Sequence, residues 1–108
     1  MKKIILKTVK MDNNSDFEYR DELINILRVA PQGMDLVEME NALRCIAAVN
    51  QAKSDEVLLE DADHKFLSSR VDAHRWRFAD TAIVQFIKDI KGAEPVTVEA
   101  KAETKADA

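Results

Sequence analysis

The stretch Leu58–Ile90, LLEDADHKFLSSRVDAHRWRFADTAIVQFIKDI, carries two helix-period patterns on either side of the single tryptophan, Trp76, which lies between Arg75 and Arg77. Aspartates at the start of a helix accept hydrogen bonds from the free amides of its first turn and complement its positive end, so a helix is predicted to begin near Asp61 or Asp63. Phe66, Leu67 and Val71 would form its buried side, and Ala73 to Phe78 would lead out of it. Asp80 is placed to cap the next helix, in which Ile83, Phe86, Ile87 and Ile90 recur at the 0, 3, 4, 7 spacing of one helical face. Gly92 should stop that helix at the C′ position, with Pro95 just beyond.

Working back toward the start of the chain, Glu56–Glu60 has three apolar residues between two acids, too few for a helix. It reads as a strand that could pair with residues 3 to 9, where β-branched residues alternate loosely with lysines. MDNNSD is a turn-forming cluster. Ser15 with Glu18 fits a reciprocal capping box, and Tyr19, Leu23, Ile24, Ile26 and Leu27 follow at helical spacing, so a first helix is expected at about 16 to 29. Pro31-Gln32-Gly33 would end it. Asp35 with Glu38 repeats the cap logic, and Leu36, Met39, Leu43 and Ile46, with Ala42, Ala47 and Val49 flanking, mark the apolar side of a second helix at about 35 to 51.

At 108 residues the chain has room for one domain. From Gly92 onward the large apolar residues are two valines, which cannot offset the entropy of ordering, so a solvated tail is expected. The predicted fold class is mainly α. It comprises a small bundle of about four helices with a minor two-stranded β element, over a single mainly helical domain at residues 1–92, and a disordered C-terminal tail at 93–108.

Composition narrows the function classes. One cysteine, Cys45, permits no intramolecular disulfide and reads as a small core residue in a reducing cytoplasm. MKKIILKTVK starts like a signal peptide, but its apolar run is broken at Lys7, so no export is expected, and no run of eighteen apolar residues suggests a membrane span. The formal charge is −4, of which the stretch from Glu94 carries −2, so the folded part has no global attraction for phosphate backbones.

Few residues offer chemistry. Asp61, Asp63, His64, Asp72 and His74 are metal-compatible types, but a single DxDH has neither the spacing of a zinc site nor the oxygen count of a calcium loop, so they read as caps. His64 or His74 as a general base would need a cleft and a positioning loop that two glycines, Gly33 and Gly92, do not suggest. Neither an enzyme nor a cofactor or metal is expected. The one basic and aromatic cluster is Arg70, His74, Arg75, Trp76, Arg77 and Phe78. Arginine and aromatic side chains supply many interface hot spots, which makes Arg75, Trp76, Arg77 and Phe78 the candidate protein-contact patch. The bland alternative puts Trp76 in the core, with the arginines paired to Asp72 and Asp80.

Nucleic-acid contact through Arg70, Arg75 and Arg77, or through Lys2, Lys3, Lys7 and Lys10, is the alternative function, that of a transcriptional regulator. A helix-turn-helix built on the first two helices would present Glu38 and Glu40 against one arginine, Arg44, to the phosphates, which argues against it.

LLEDADHKFLSSRVDAHRW followed by ADTAIVQFIKDI resembles small, function-unassigned proteins of tailed phages and prophages, over about a third of the chain. The resemblance implies a bacterial or phage-infected cytoplasm and an accessory or assembly role, and brings no activity with it. The expected function is therefore a small non-catalytic protein-protein interaction or assembly module. It would bind a protein partner or itself, with nucleic acid unlikely and no membrane.

Overall fold

In a computed structural model of the chain, which describes residues 1–30 and 32–96, the β-branched start of the sequence breaks into two strands. β1 (Lys2–Ile5) and β2 (Thr8–Lys10) are separated at Leu6-Lys7 and join different sheets. β2 turns back through a hairpin into β3 (Asp16–Glu18), pairing Thr8 with Glu18, Val9 with Phe17 and Lys10 with Asp16. The turn forms because Asn14 adopts a positive φ of 75°, which asparagine tolerates, and because Asn13 Oδ1 accepts from both the Ser15 amide and hydroxyl.

That hairpin displaces the expected capping box. Ser15 is turned toward Asn13, Glu18 precedes the helix without a side-chain cap, and α1 runs only over Tyr19–Arg28. Residues 16 to 18, expected as helix, are strand because pairing with β2 satisfies their backbone and buries Phe17.

α2 (Leu36–Gln51) begins at the predicted Asp35–Glu38 capping box, with Glu38 N–H to Asp35 Oδ1 at 2.8 Å and Asp35 N–H to Glu38 Oε1 at 2.9 Å. Its buried face keeps Ile46 of the expected row and two of the flanking residues but not the rest. Ala42, Cys45, Ile46 and Val49 are buried, while Leu36, Met39 and Leu43 face outward. α2 is apolar on two sides, and the side rich in small residues is the one packed against α1 and α3. The Arg20 guanidinium of α1 donates to the carbonyls of Val49 and Ala52, tying the end of α2 to α1.

β4 (Glu56–Leu59) pairs antiparallel with β1, Ile4 opposite Val57 and Lys2 opposite Leu59. Alternation places Ile4, Val57 and Leu59 in the core and Ile5 and Leu58 outside. α3 (Asp61–Ala73) and α4 (Thr81–Lys91) follow. Leu67 and Val71 of α3 and Ala82, Ile83, Phe86 and Ile90 of α4 are buried, with Phe66 and Ile87 half-buried against them.

α4 ends with Gly92 N–H donating to the Lys88 carbonyl at 2.9 Å. The φ of Gly92 is −93°, so no left-handed cap is present. A Cβ at this position would lie 3.0 Å from the Lys88 oxygen, a close contact that glycine avoids.

β5 (Glu94–Pro95) then adds to the free edge of β1, giving the order β4-β1-β5, with Lys2 opposite Pro95 and Lys3 opposite Glu94. A proline is compatible with this position because an edge strand has one unpaired side. Val96 N–H to the Met1 carbonyl (2.8 Å) and the Lys3–Glu94 ion pair (3.7 Å) extend the attachment.

The fold class is thereby corrected. Of the described residues 53% are helix and 17% strand, in four helices and five strands arranged as two antiparallel sheets, a mixed α/β architecture. The physical reason is the same at both ends of the chain: two- and three-residue strands carry almost no periodicity of their own and exist through their pairing partners. The tail expected over 93–108 begins inside this sheet at Glu94–Pro95, and its remainder from residue 97 lies outside the described residues.

Candidate protein-contact site

Trp76 is held by rings. Its indole lies 6.5 Å from Phe17, 6.1 Å from Phe86 and 4.5 Å from the His74 imidazole, the last two edge to face. Phe17, Tyr19 and Phe86 in turn contact one another edge to face at 5.0–6.1 Å. Such geometry sets ring edges against ring faces and adds to the area each ring buries. Trp76 is nonetheless only half-buried: one side rests on this cluster and the other borders a groove. Its Nε1–H is buried without an acceptor.

The groove has a volume of about 650 Å³. Phe17, Trp76 and Ile83 form its apolar floor, and Phe78, 58% exposed, stands at its lip. One wall carries His74, Arg75 and Arg77 from the α3–α4 connection. The other carries Asp16 and Glu18 from β3, then Asp21 and Glu22 from the first turn of α1. Lys10 neutralises Asp16 at 2.6 Å, whereas Glu18, Asp21 and Glu22 take part in no ion pair among the described residues. The groove is therefore lined by acidic groups from β3 and α1 and by basic groups from the α3–α4 connection.

Two backbone features shape this site. Tyr19 N–H donates to the Lys7 carbonyl (3.0 Å) and Met11 N–H to the Ser15 carbonyl (2.8 Å), so the β2–β3 bonds fall on odd positions of β3. The amides of Asp16 and Glu18 then point away from β2, and both residues line the groove. At one end a reciprocal aspartate clamp closes the structure. Asp80 caps α4 through Ala82 N–H (2.9 Å) and accepts Asp12 N–H (3.1 Å), while the Asp12 carboxylate accepts from Thr81 N–H (3.1 Å) and its hydroxyl (3.3 Å). The β2–β3 turn is thus locked to the start of α4, which sets the separation of the groove walls.

The predicted patch residues fall together here. Arg75, Arg77 and Phe78 are exposed around half-buried Trp76. The expected alternative, arginines tied to Asp72 and Asp80, is not what forms. Asp72 pairs with Lys91 at 2.8 Å, Asp80 serves as cap and clamp, and no ion pair among the described residues involves Arg70, Arg75 or Arg77.

The three arginines do not share one surface. Arg70 is half-buried, its Nε enclosed without a partner, and borders a separate hollow of about 270 Å³ with Glu38 and Gly33; Arg75 touches both. Of the N-terminal lysines, Lys3, Lys7 and Lys10 are engaged by Glu94, Asp89 and Asp16.

The metal-compatible residues are dispersed into structural roles. Asp63 grips Arg44 through both carboxylate oxygens at 2.8–3.1 Å, raising the guanidinium pKa by hydrogen bond and charge. His64 Nε2 meets the Ile90 carbonyl at 2.8 Å, and Asp61 pairs with the N-terminal amine at 3.2 Å. Cys45 is buried, and loss of solvent, reinforced by the Asp63 carboxylate and partly offset by Arg44, pushes its thiol up to about 11.

The acidic wall had no warning in the sequence beyond Asp21 and Glu22 as first-turn acids. Only the hairpin brings Asp16 to Glu18 opposite Trp76. Comparison with known protein families, with curated proteins and with solved structures finds no match to this chain in any of the three.

Proposed function

We propose that the chain is a non-catalytic protein-binding module that docks a segment of a partner protein in the groove between β3 and the α3–α4 connection. One observation carries this reading: Arg75, Arg77 and Phe78 are exposed, without intramolecular carboxylate partners among the described residues, beside an aromatic floor. Guanidinium and aromatic groups at the rim of an apolar depression are the chemistry from which interface hot spots are made. The amides of Asp16 and Glu18 offer an extended segment main-chain hydrogen bonds, while the carboxylate wall and the arginine wall select its side chains.

Nucleic acid fits this surface less well, because phosphates entering the groove would meet Glu18, Asp21 and Glu22. The setting that goes with the reading is a bacterial or phage-infected cytoplasm, and the role that of an accessory or assembly factor, on the strength of the resemblance of residues 58 to 90. No helix among the described residues is long and apolar enough to cross a membrane.

The test is site-specific photo-crosslinking in cells that make the protein, with a benzophenone amino acid at position 78 and, as control, at exposed Lys88 on the outside of α4. A discrete protein adduct at 78, lost on Arg75→Glu and absent at 88, is the expected result. Adducts indistinguishable between the two positions would refute it. Salt-sensitive binding to random duplex DNA would replace it with the regulator reading.

A further inference from the structure

We infer that α2 is also the interface of a homodimer, in which a second copy packs antiparallel on the helix face opposite the core. α2 buries Ala42, Cys45, Ile46 and Val49 inward, which leaves Leu36 and Leu43, 69% and 52% exposed, in one row on the opposite side, with exposed Val37 on one flank and Met39 on the other. In an interface of the standard size, roughly 800 Å² per partner, Leu36 and Leu43 would form the apolar centre, with Val37, Met39 and the polar residues of α2 around them.

The occupant follows from the face's complementarity to itself. Leu36, Glu40, Leu43 and Ala47 recur at spacings of four, three and four, the seam of a helix pair. All four are exposed. Across a two-fold axis between positions 40 and 43, Leu36 of one copy meets the small Ala47 of the other, and Leu43 lies over the aliphatic stem of the other's Glu40.

Large faces small twice in this arrangement, and the helices can approach closely. The same register sets each Glu40 carboxylate beside the other copy's Arg44. That guanidinium is bound to Asp63 and Asn41 through Nε and Nη2, leaving Nη1 without a partner among the described residues. An isologous contact of this kind closes at two subunits.

The experiment is sedimentation equilibrium of the full chain from about 1 to 200 μM, which brackets micromolar dissociation constants. Expected is a mass rising from 12.2 kDa toward twice that value. Leu36→Glu and Leu43→Glu each weaken association at least about tenfold. Their circular dichroism should match the parent, because neither side chain is in the core.

Leu36→Cys combined with Ala47→Cys should oxidise to a covalent dimer. Within one chain the two positions are eleven residues apart on one helix, about 16 Å, too far to bridge. A monomer mass at every concentration overturns the proposal, as does a dimer indifferent to both glutamates. Arg75→Glu should leave the mass unchanged, which separates this interface from the groove described above.

Discussion

Removing one hydroxyl tests how α4 is fastened to the rest of the fold. The Tyr19 ring is fully buried, and its hydroxyl donates to Asp89 Oδ2 at 2.6 Å, a bond between β3–α1 and α4 seventy residues apart. Tyr19→Phe deletes the bond and keeps the edge-to-face contacts with Phe17 and Phe86. A hydrogen bond to a charged acceptor is worth about 1.5–3 kcal/mol. Asp89 is 28% exposed and keeps Gln85 and Lys7 as partners, and the screening this allows reduces the expected loss to about 1–2 kcal/mol.

The loss must depend on pH in a defined direction. Burial alone would raise the Asp89 pKa, but hydrogen bonds from Tyr19, Gln85 and Lys7 outweigh it and hold the carboxyl below its ordinary value. Its stabilisation is therefore present above the ordinary carboxylate range and fades as pH falls through the lowered folded value. Burial, then the bond and charge of Asp89, raise the Tyr19 hydroxyl, so its contribution is present below the ordinary tyrosine range and fades as pH rises through the folded value.

Urea unfolding followed by Trp76 fluorescence should show Tyr19→Phe destabilised at neutral pH, with Tm lower by about 4–8 °C per kcal/mol. The gap from the parent should narrow as pH falls below the ordinary carboxylate range and again as pH rises above the ordinary tyrosine range. A penalty below about 0.3 kcal/mol at neutral pH, or one that is constant down to the acid limit, would refute the assignment of this bond as the α4 fastening.

Three further outcomes are expected. Asp80→Ala removes both the α4 cap and the acceptor of Asp12 N–H, and should cost about 1–3 kcal/mol in chemical denaturation while raising amide exchange in residues 12 to 15 and 81 to 84. Cys45, buried and with its thiol pushed up to about 11, should resist a disulfide reagent at pH 8 in the native protein and react at once in denaturant; equal rates in both would contradict the placement. Gly33 has φ +85° with open space around its missing Cβ, so Gly33→Ala should cost about 1 kcal/mol from backbone strain alone, and Gly33→Asn distinctly less.

Long periodic segments were legible without the fold. The capping box at Asp35–Glu38, the cap at Asp80 and the apolar rows of α1 and α4 depend on contacts within a few residues, so sequence spacing reports them directly. The clustering of Arg75, Trp76, Arg77 and Phe78 was visible for the same reason. The Ser15–Glu18 box failed because Asn13 competed for Ser15 and β2 competed for the backbone of residues 16 to 18. On α2 two apolar rows were present, and spacing alone favoured the one with larger side chains. Close approach to α1 and α3 selected the smaller row, Ala42, Cys45, Ile46 and Val49.

What the amino-acid sequence determined by itself, then, is four helices, several of their caps and a basic aromatic connection between the last two, since each is a matter of neighbours within one or two turns. The tertiary structure alone decided that the chain is mixed α/β, that β5 returns to β1, and that β3 and the start of α1 set an acidic wall opposite Trp76. Short strands and groove walls are made of partners that can lie more than ninety residues apart, as Lys2 and Pro95 do, and their free energy comes from pairing and burial that no local pattern encodes.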